Sequence, residues 1–203
     1  MKYCWTVLLN CFFLTVFASG VITNSQADLA QKLSGLQSFS ADITQTMGSD
    51  SGESMVSFGH LWVKNPGKFR YEIASPNAQI FVSDGQKLYD YEPDLMQVVI
   101  RPLDQALSET PLLLLSGGTE SLEKLFSVQE TIQGQFILTP LDSDNLISQI
   151  NLSFKNNLPI SMEVINSFGQ ATQIGFSNVI ENKPMSESQF KFTIPNGVDV
   201  LGS

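Results

Sequence analysis

The stretch Gly59–Pro76, GHLWVKNPGKFRYEIASP, constrains the fold of this chain more than any other. Its two halves are joined by Asn65-Pro66-Gly67, which is typical of a turn. In the second half, apolar residues alternate with charged ones and share one face: Phe69, Tyr71 and Ile73. Strict alternation is the period of a β-strand with one buried face. We therefore expect an apolar face here, which packs either on the protein's own core or on a bound apolar molecule.

Short strand-like segments continue along most of the chain. From Val56 to Arg101 they are separated by turn signals such as Asp84-Gly85 and Glu92-Pro93-Asp94, and short links between strands favour antiparallel pairing. Further strands are predicted in the second half: Gln135–Leu141, Leu146–Phe154, Pro159–Asn166, Ala171–Ile180 and a final strand over Phe190–Pro195. Gly48–Ser54 reads as a turn or hairpin loop. The predicted fold class is α+β, mainly antiparallel β.

Two apolar segments interrupt this pattern and predict helices. Asp28–Ser40 carries an amphipathic stripe on a first helix: Leu29, Leu33, Leu36 and Phe39. Pro102–Phe126 reads as short helices and contains four consecutive leucines, Leu112–Leu115, which exceed what one helix face needs. Some of them must meet a second apolar surface. They either form a permanent core on the sheet or a lid over a ligand, and the pattern alone leaves both open.

The N-terminus has the features of a secretory signal peptide covering residues 1–27. Lys2 supplies a positive charge, Leu8–Ile22 is an apolar run, and Ser25 and Ala27 are small residues before the expected cleavage point. An uncleaved anchor is the alternative, although polar residues shorten the run below the ~20 needed to span a bilayer. We expect a single mature domain over residues 28–203.

Composition narrows the location and the partners. Cys4 and Cys11 both fall in the predicted signal, and no lipobox precedes either, so we expect an unlipidated mature chain without disulfides in a periplasm. The chain has 20 acidic and 11 basic residues, for a net charge of −9. Without a basic cluster, nucleic acid is a poor partner.

The sequence offers little for catalysis. His60 is the single histidine of the chain, so it cannot build a multi-histidine metal site, and it lacks an identifiable catalytic partner. No nucleophile elbow, zinc-protease helix, P-loop or dinucleotide fingerprint is present. We expect no enzyme activity, no cofactor and no metal, and a strand-surface role for His60.

Several segments together resemble the LolA family of periplasmic outer-membrane lipoprotein carriers. They occur in the family's order and cover nearly all of the expected mature chain: SFSADITQT (Ser38–Thr46), GHLWVKNPGKFRYE (Gly59–Glu72), VSDGQKLYDYEPDLMQV (Val82–Val98), TPLLLLSG (Thr110–Gly117) and FTIPNGVDVL (Phe192–Leu201). The resemblance implies an incomplete, half-open β-barrel covered by a lid of short helices. It also implies a monomer that takes acylated lipoproteins from an inner-membrane ATP-driven exporter to an outer-membrane receptor.

The resemblance places acyl chains between the sheet and the lid. The residues expected to line that cavity are Leu33 and Phe39 of the first helix, together with Leu61, Val63, Phe69, Tyr71, Ile73, Leu112, Leu113 and Leu115. The family commonly has an arginine that holds the lid where this chain has Asn65. Asn65 is therefore either a weaker lid contact or ordinary turn chemistry before Pro-Gly.

Two other functions remain open at this point. The first is a periplasmic lipid-binding sensor or regulatory module on the same half-barrel, which we disfavour because the chain ends at Ser203, soon after the predicted last strand. The second is a carrier of another lipid, such as a glycolipid, which the sequence does not separate from a lipoprotein carrier.

Overall fold

A computed structural model describes residues 25–48, 54–106, 110–117, 119–132 and 134–202. The apolar part of the predicted signal peptide and both cysteines lie outside the described residues, as does most of the Gly48–Ser54 loop. Within the described ranges, no helix has the length and apolar content needed to cross a membrane.

The described strands form one open, unclosed sheet. They are β1 (Ser38–Met47), β2 (Met55–Lys64), β3 (Lys68–Ser75), β4 (Gln79–Asp84), β5 (Lys87–Glu92), β6 (Gln97–Pro102), β7 (Phe126–Ile132), β8 (Gln135–Pro140), β9 (Ile147–Lys155), β10 (Leu158–Asn166), β11 (Ala171–Glu181) and β12 (Asp199–Gly202). The order across the sheet is β12-β6-β5-β4-β3-β2-β1-β11-β10-β9-β8-β7. All neighbours pair antiparallel except β12 and β6, which are parallel. The predicted fold class is confirmed.

Short helices cover one face of this sheet. The α-helices are α1 (Ser25–Gly35), α2 (Leu103–Ala106) and α3 (Thr119–Leu125), and the 3₁₀ segments are Pro93–Leu95, Pro111–Ser116 and Glu187–Phe190. We use the name lid for α1, Pro111–Ser116 and α3 together, because α1 contacts both other segments and Pro111–Ser116 contacts β2 and β3. The face of the sheet beneath the lid is the inner face, and the opposite one is the outer face.

The placement of Phe39 on the first helix was wrong. α1 ends at Gly35, and Phe39 is a fully buried residue of β1. Glycine costs about 1 kcal/mol in a helix interior, and the side chain of Asn182 accepts the backbone N–H of Gln37 at 2.9 Å just after the helix end. Phe39 therefore belongs to the sheet and not to the lid.

The final strand was also wrongly placed, and one strand was missed. Phe190–Pro195 contains no strand, and the last strand is β12, which begins four residues later. The alternating aromatics of this segment dock on the outer face: Phe190 is buried, and the ring of Phe192 lies 5.5 and 5.6 Å from the rings of Tyr89 and Tyr91. β7 was missed because its polar sequence follows the leucines of α3 directly.

The segment Pro184–Phe192, which we call the strap, lies across the outer face. Glu187 forms ion pairs with Lys64, at 2.5 Å, and with Lys68. Arg70 Nη1 donates a hydrogen bond to the backbone oxygen of Gln189 at 3.3 Å. The strap thus holds the ends of β2 and β3 from the side opposite the lid.

We predict that the strap carries part of the acid sensitivity of this fold. Hydrogen bonds from Lys64 and then Lys68 lower the pKa of Glu187 from 4.5 to about 2. A lowered pKa means that the folded state favours the carboxylate, so this contribution is present above pH 4.5 and is lost as the pH falls towards 2. In Glu187→Gln the free energy of unfolding should fall less steeply over that range.

The measurement is the urea midpoint of the wild type and of Glu187→Gln at several pH values from neutral to acid. Glu123→Gln, at an exposed position of α3, is the matched control. Identical pH profiles for wild type and Glu187→Gln would show that the strap contacts do not contribute.

Candidate functional site

Alternation along β2 and β3 divides their side chains between the two faces as predicted. Five residues of the sequence motif are buried on the inner face: Leu61, Val63, Phe69, Tyr71 and Ile73. Their neighbours are half-buried on the outer face, where the strap lies: Trp62, Lys64, Lys68, Arg70 and Glu72. The register pairs Leu61 with Tyr71 and Val63 with Phe69, which makes the inner face of this hairpin continuous. The expected apolar stripe is confirmed.

The leucine run explains how a short segment covers so much apolar surface. Pro111 begins the 3₁₀ segment, and Gly117 ends it in the left-handed region at φ 82°, where its N–H donates to Leu114 O at 3.3 Å. A 3₁₀ helix has three residues per turn, so consecutive side chains point in all directions. All four leucines, Leu112–Leu115, are nonetheless buried, because the sheet lies on one side and α1 on the other.

The structure brings all of the predicted cavity residues into one buried cluster. Leu33 joins from α1, Phe39 from β1, and the other members come from β2, β3 and the leucine segment. Lid and sheet side chains pack directly against each other. Whether acyl chains take this space stays a prediction.

Sequence reasoning missed the part of the cluster that the second half of the sheet contributes. Its members come from β8–β11: Phe136, Leu138, Ile150, Leu152, Phe154, Met162, Ile174 and Phe176. The signal was available, because Ile150, Leu152 and Phe154 alternate with polar residues along β9.

Asn65 lies where the β2–β3 turn meets the lid. Its Nδ2 donates to Leu36 O, just beyond the end of α1, and lies 3.5 Å from Leu33 O inside the helix. Its backbone N–H donates to Gln37 O at 2.9 Å. Carbonyls at the C-terminus of a helix lack partners within the helix. The Asn65 amide therefore satisfies the end of α1, in addition to its position in a turn.

The other atoms of the Asn65 side chain are enclosed. Among the described residues, its Oδ1 is buried without a hydrogen-bond partner. A Cβ atom added to Gly117 would lie 2.5 Å from this oxygen, so only glycine fits against it. A flipped amide would point its oxygen at the two carbonyls of α1, which favours the orientation observed. Asn65 thus donates one contact to the lid and has a buried side-chain oxygen that no described protein group satisfies.

A pocket of about 320 Å³ opens where the leucine segment meets the sheet. Apolar side chains form part of its lining: Ile73, Phe81, Leu112, Val164 and Ile174. Tyr71 and Pro111 also line it, and polar side chains form the rest: Gln45, Gln79, Asp90, Arg101, Thr110 and Thr172. Two larger grooves, of about 610 and 670 Å³, have partly charged linings that include Asp28 and Lys32 in one and Lys64 and Lys183 in the other.

Ionisable groups in this pocket are perturbed by burial. Burial raises the pKa of Tyr71, whose hydroxyl donates to Gln45 Oε1 at 2.7 Å. Burial also raises the pKa of Asp90, with Glu92 adding to the rise, while the hydrogen bond from Gln79 and the charge of Arg101 oppose it. No arrangement of nucleophile and base accompanies these groups among the residues that the structure describes.

His60 lies apart from the pocket, on the outer face. Its Nδ1 is 2.7 Å from Asp42 Oδ1, and its ring lies 4.1 Å from that of Trp62. A hydrogen bond from Asn178 and the contact with His60 lower the pKa of Asp42. Within the described ranges, no group of three or more His, Cys, Asp or Glu residues is placed to hold a metal ion.

The fold and the site define a half-barrel protein with an apolar inner face under a separate helical lid. The family model of the outer membrane lipoprotein carrier protein LolA matches residues 34–193. The chain belongs to this family, and the resemblance of its motifs is confirmed.

Named relatives match over most of their length. The outer-membrane lipoprotein carrier protein of Chromohalobacter salexigens is 36% identical over 97% of this chain and 96% of its own. That of Hahella chejuensis is 40% identical over 85% of this chain and 86% of its own. Among solved structures, the LolA superfamily protein NE2245 of Nitrosomonas europaea has a TM-score of 0.47 at 13% identity, over 83% of this chain and 98% of that one. The family assignment rests on the sequence matches.

The contact between Asn65 and the lid should contribute measurably to stability. Asn65→Ala removes the donor to the end of α1, and Gly117→Ala places a methyl group on the Asn65 amide at a positive φ. We expect each change to lower the free energy of unfolding by roughly 1–3 kcal/mol. Urea unfolding followed by far-ultraviolet circular dichroism is the measurement.

The matched control is Asn77→Ala, at an exposed asparagine in the turn between β3 and β4. It should change stability by less than about 0.5 kcal/mol. If Asn65→Ala lowers the free energy of unfolding no more than this control does, Asn65 has only the ordinary role of an asparagine in a turn.

Proposed function

We propose that this chain is a periplasmic chaperone that carries acylated lipoproteins from an inner-membrane ATP-driven exporter to an outer-membrane receptor. Family membership supports the class of function. The observation that carries the proposal is the apolar inner face covered by lid segments that belong to no strand of the sheet. These segments cover the apolar face without being hydrogen-bonded into the sheet, so they could move away without breaking a strand ladder. We propose no catalytic role and no cofactor.

The physics of transport favours a lid that is itself apolar. Each methylene removed from water is worth about 0.8 kcal/mol, so one chain of about 15 methylenes would gain roughly 12 kcal/mol, and three would bind too tightly to leave. The leucines of the lid occupy the inner face when no cargo does. Cargo must displace them, and re-exposing each leucine costs about 1.5–3 kcal/mol. The lid therefore lowers the net affinity for cargo, and with it the free energy that release must supply.

Asn65 sets how firmly the lid is held in this proposal. It contributes an uncharged donor to the end of α1 and leaves its own oxygen unsatisfied. Opening the lid breaks the first contact but hydrates the second group, so the two effects partly cancel. An arginine here would add a positive charge next to the negative end of the helix dipole. Asn65 is accordingly a weaker latch than the arginine that is common in the family.

The carrier function is tested by a release assay. Spheroplasts containing radiolabelled lipoproteins are incubated with purified Asp28–Ser203, which starts at the predicted mature N-terminus. We expect labelled lipoprotein in the supernatant, in a complex with this protein. No release, with another lipid co-purifying from cells, would point to a different cargo or to a sensor. No release and no bound lipid would mean that the lid leucines are only core.

The latch is tested in the same system with Asn65→Arg. We expect the arginine variant to pass its cargo to receptor-containing membranes faster than the wild type, because additional donors favour the closed, cargo-free form and so lower the net affinity for cargo. The amount transferred per unit time is the measurement. Asn77→Arg, which adds the same positive charge at an exposed position in the turn between β3 and β4, controls for the change of net charge. Equal transfer by Asn65→Arg and the wild type would contradict the latch.

Truncating a leucine of the lid should make the protein hold its cargo more tightly and transfer it more slowly. Leu33→Ala and Leu115→Ala remove buried bulk, so the cargo-free protein should lose about 2–5 kcal/mol of unfolding free energy. Cargo that refills this space should then be transferred more slowly. Leu141→Ala, at a position 59% exposed, is the matched control for both measurements. Unchanged transfer despite the loss of stability would place both leucines in the core alone.

A further inference from the structure

Asp90 is an unexpected residue on the inner face of the sheet. It lies in β5 directly opposite Phe81 of β4, whose ring stacks on Tyr71 at 6.1 Å. The same face therefore carries a carboxylate next to the aromatic residues beneath the lid. A carboxylate in such a place costs free energy unless something compensates it. Its position calls for a reason other than packing.

The surroundings of Asp90 form an organised polar group. Gln79 Nε2 donates to Asp90 Oδ1 at 3.0 Å, which fixes the orientation of both side chains. Gln79 retains a second N–H on the same amide nitrogen. Arg101 is close enough to lower the pKa of Asp90 against the effect of burial. One end of the pocket thus combines a charged acceptor with amide and guanidinium groups.

Beyond this end the lining is mixed, with Gln45, Thr110 and Thr172 among apolar side chains, and its apolar part continues towards the lid. Leu112 belongs both to the pocket and to the buried leucine segment, and Ile73 and Ile174 belong both to the pocket and to the apolar cluster. A volume of about 320 Å³ is at the small end of the range for ligand sites and far below what three acyl chains require. The pocket fits the junction of an amphipathic ligand, where polar groups meet the start of apolar chains.

We propose that this pocket binds the polar junction of the lipid-modified N-terminus, with Asp90 accepting its amide N–H and Gln79 donating to an acyl carbonyl. The inference rests on the proposed carrier function and deepens it. A cysteine that is N-acylated and carries a diacylglyceryl group presents one amide N–H and two ester carbonyls at the branch point of its chains. The acyl chains run under the lid from there, while the polypeptide leaves at the open side of the pocket.

The same ester chemistry occurs in membrane phospholipids, which lack the N-acyl amide. A phospholipid offers no amide N–H to Asp90 at this branch point. Its phosphate is attracted by Arg101 as well as repelled by Asp90, so the discrimination rests on the missing N–H. The pocket should therefore favour a triacylated cysteine over a diacyl phospholipid of the same chain length.

The test compares three ligands by displacement of an environment-sensitive apolar dye from the full mature chain. The first is an uncharged tripalmitoylated cysteinyl tetrapeptide. The second is the same molecule with ethers in place of both esters and a methyl group on the N-acyl amide nitrogen. The third is dipalmitoyl phosphatidylethanolamine. We expect the wild type to prefer the first ligand over each of the others by about ten-fold, the equivalent of one or two hydrogen bonds.

Asp90→Leu is the informative variant, because a leucine is compatible with the apolar neighbours and removes the acceptor that orients Gln79. We expect it to bind the second ligand like the wild type and to lose the preference for the first. Asp94→Leu, an identical change at an exposed residue four positions along the chain, should keep the preference. Circular dichroism confirms that both variants are folded.

Each remaining outcome overturns a separate statement. A preference that survives in Asp90→Leu, or a wild type that binds the first two ligands equally, would refute the pocket assignment and leave the carrier function in place. If none of the three ligands displaces the dye from the wild type, the carrier function is refuted, and the pocket assignment is refuted with it.

Discussion

The rest of the structure depends on the need to cover the inner face of an unclosed sheet. β12 and β7 are the two edges of the sheet, so the sheet does not close on itself and part of its apolar face needs another cover. Leucines from α1, the Pro111–Ser116 segment and α3 provide that cover. In a closed barrel, other strands of the same sheet cover the inner face. Uncovering that face would therefore break hydrogen bonds between strands. Here the cover is held mainly by apolar contact and by a few polar groups at its margin, so it is separable in principle.

The alternating β2–β3 hairpin left open whether its apolar face packs on the protein's own core or on a bound apolar molecule. The Phe69, Tyr71 and Ile73 face packs on the protein's own core, because the lid belongs to the same chain. Under the proposed function, an acyl chain would offer the same face an equivalent surface, and the hydrophobic effect would not discriminate between the two. Core and guest would then compete for one surface. A ligand shifts such an equilibrium only through its differential affinity for the open and closed forms.

Period-2 alternation predicted β2 to β6 and the division of their side chains between two faces, because one-sided burial leaves that period in the sequence. The errors have physical reasons. Phe39 continued a helical spacing by coincidence, and Phe190 and Phe192 alternate because they dock on the outer face rather than because they pair in a strand. The polar pocket was beyond reach, since an aspartate between tyrosines near a turn resembles any solvated carboxylate. Only the register that sets Asp90 against Phe81 places it inside.

The β2–β3 turn is where the separate parts of the molecule meet. On the lid side, Gly67 N–H donates to Ser116 O at 2.9 Å, and Asn65 donates to the end of α1. On the outer face, Glu187 of the strap pairs with Lys64 and Lys68, the residues at either side of this turn. The strap thus ties the turn to the sheet on the side opposite the lid. In the proposed carrier, a change at position 65 would act mainly on the contact with the lid, because the ion pairs of the strap hold the two strand ends independently of Asn65.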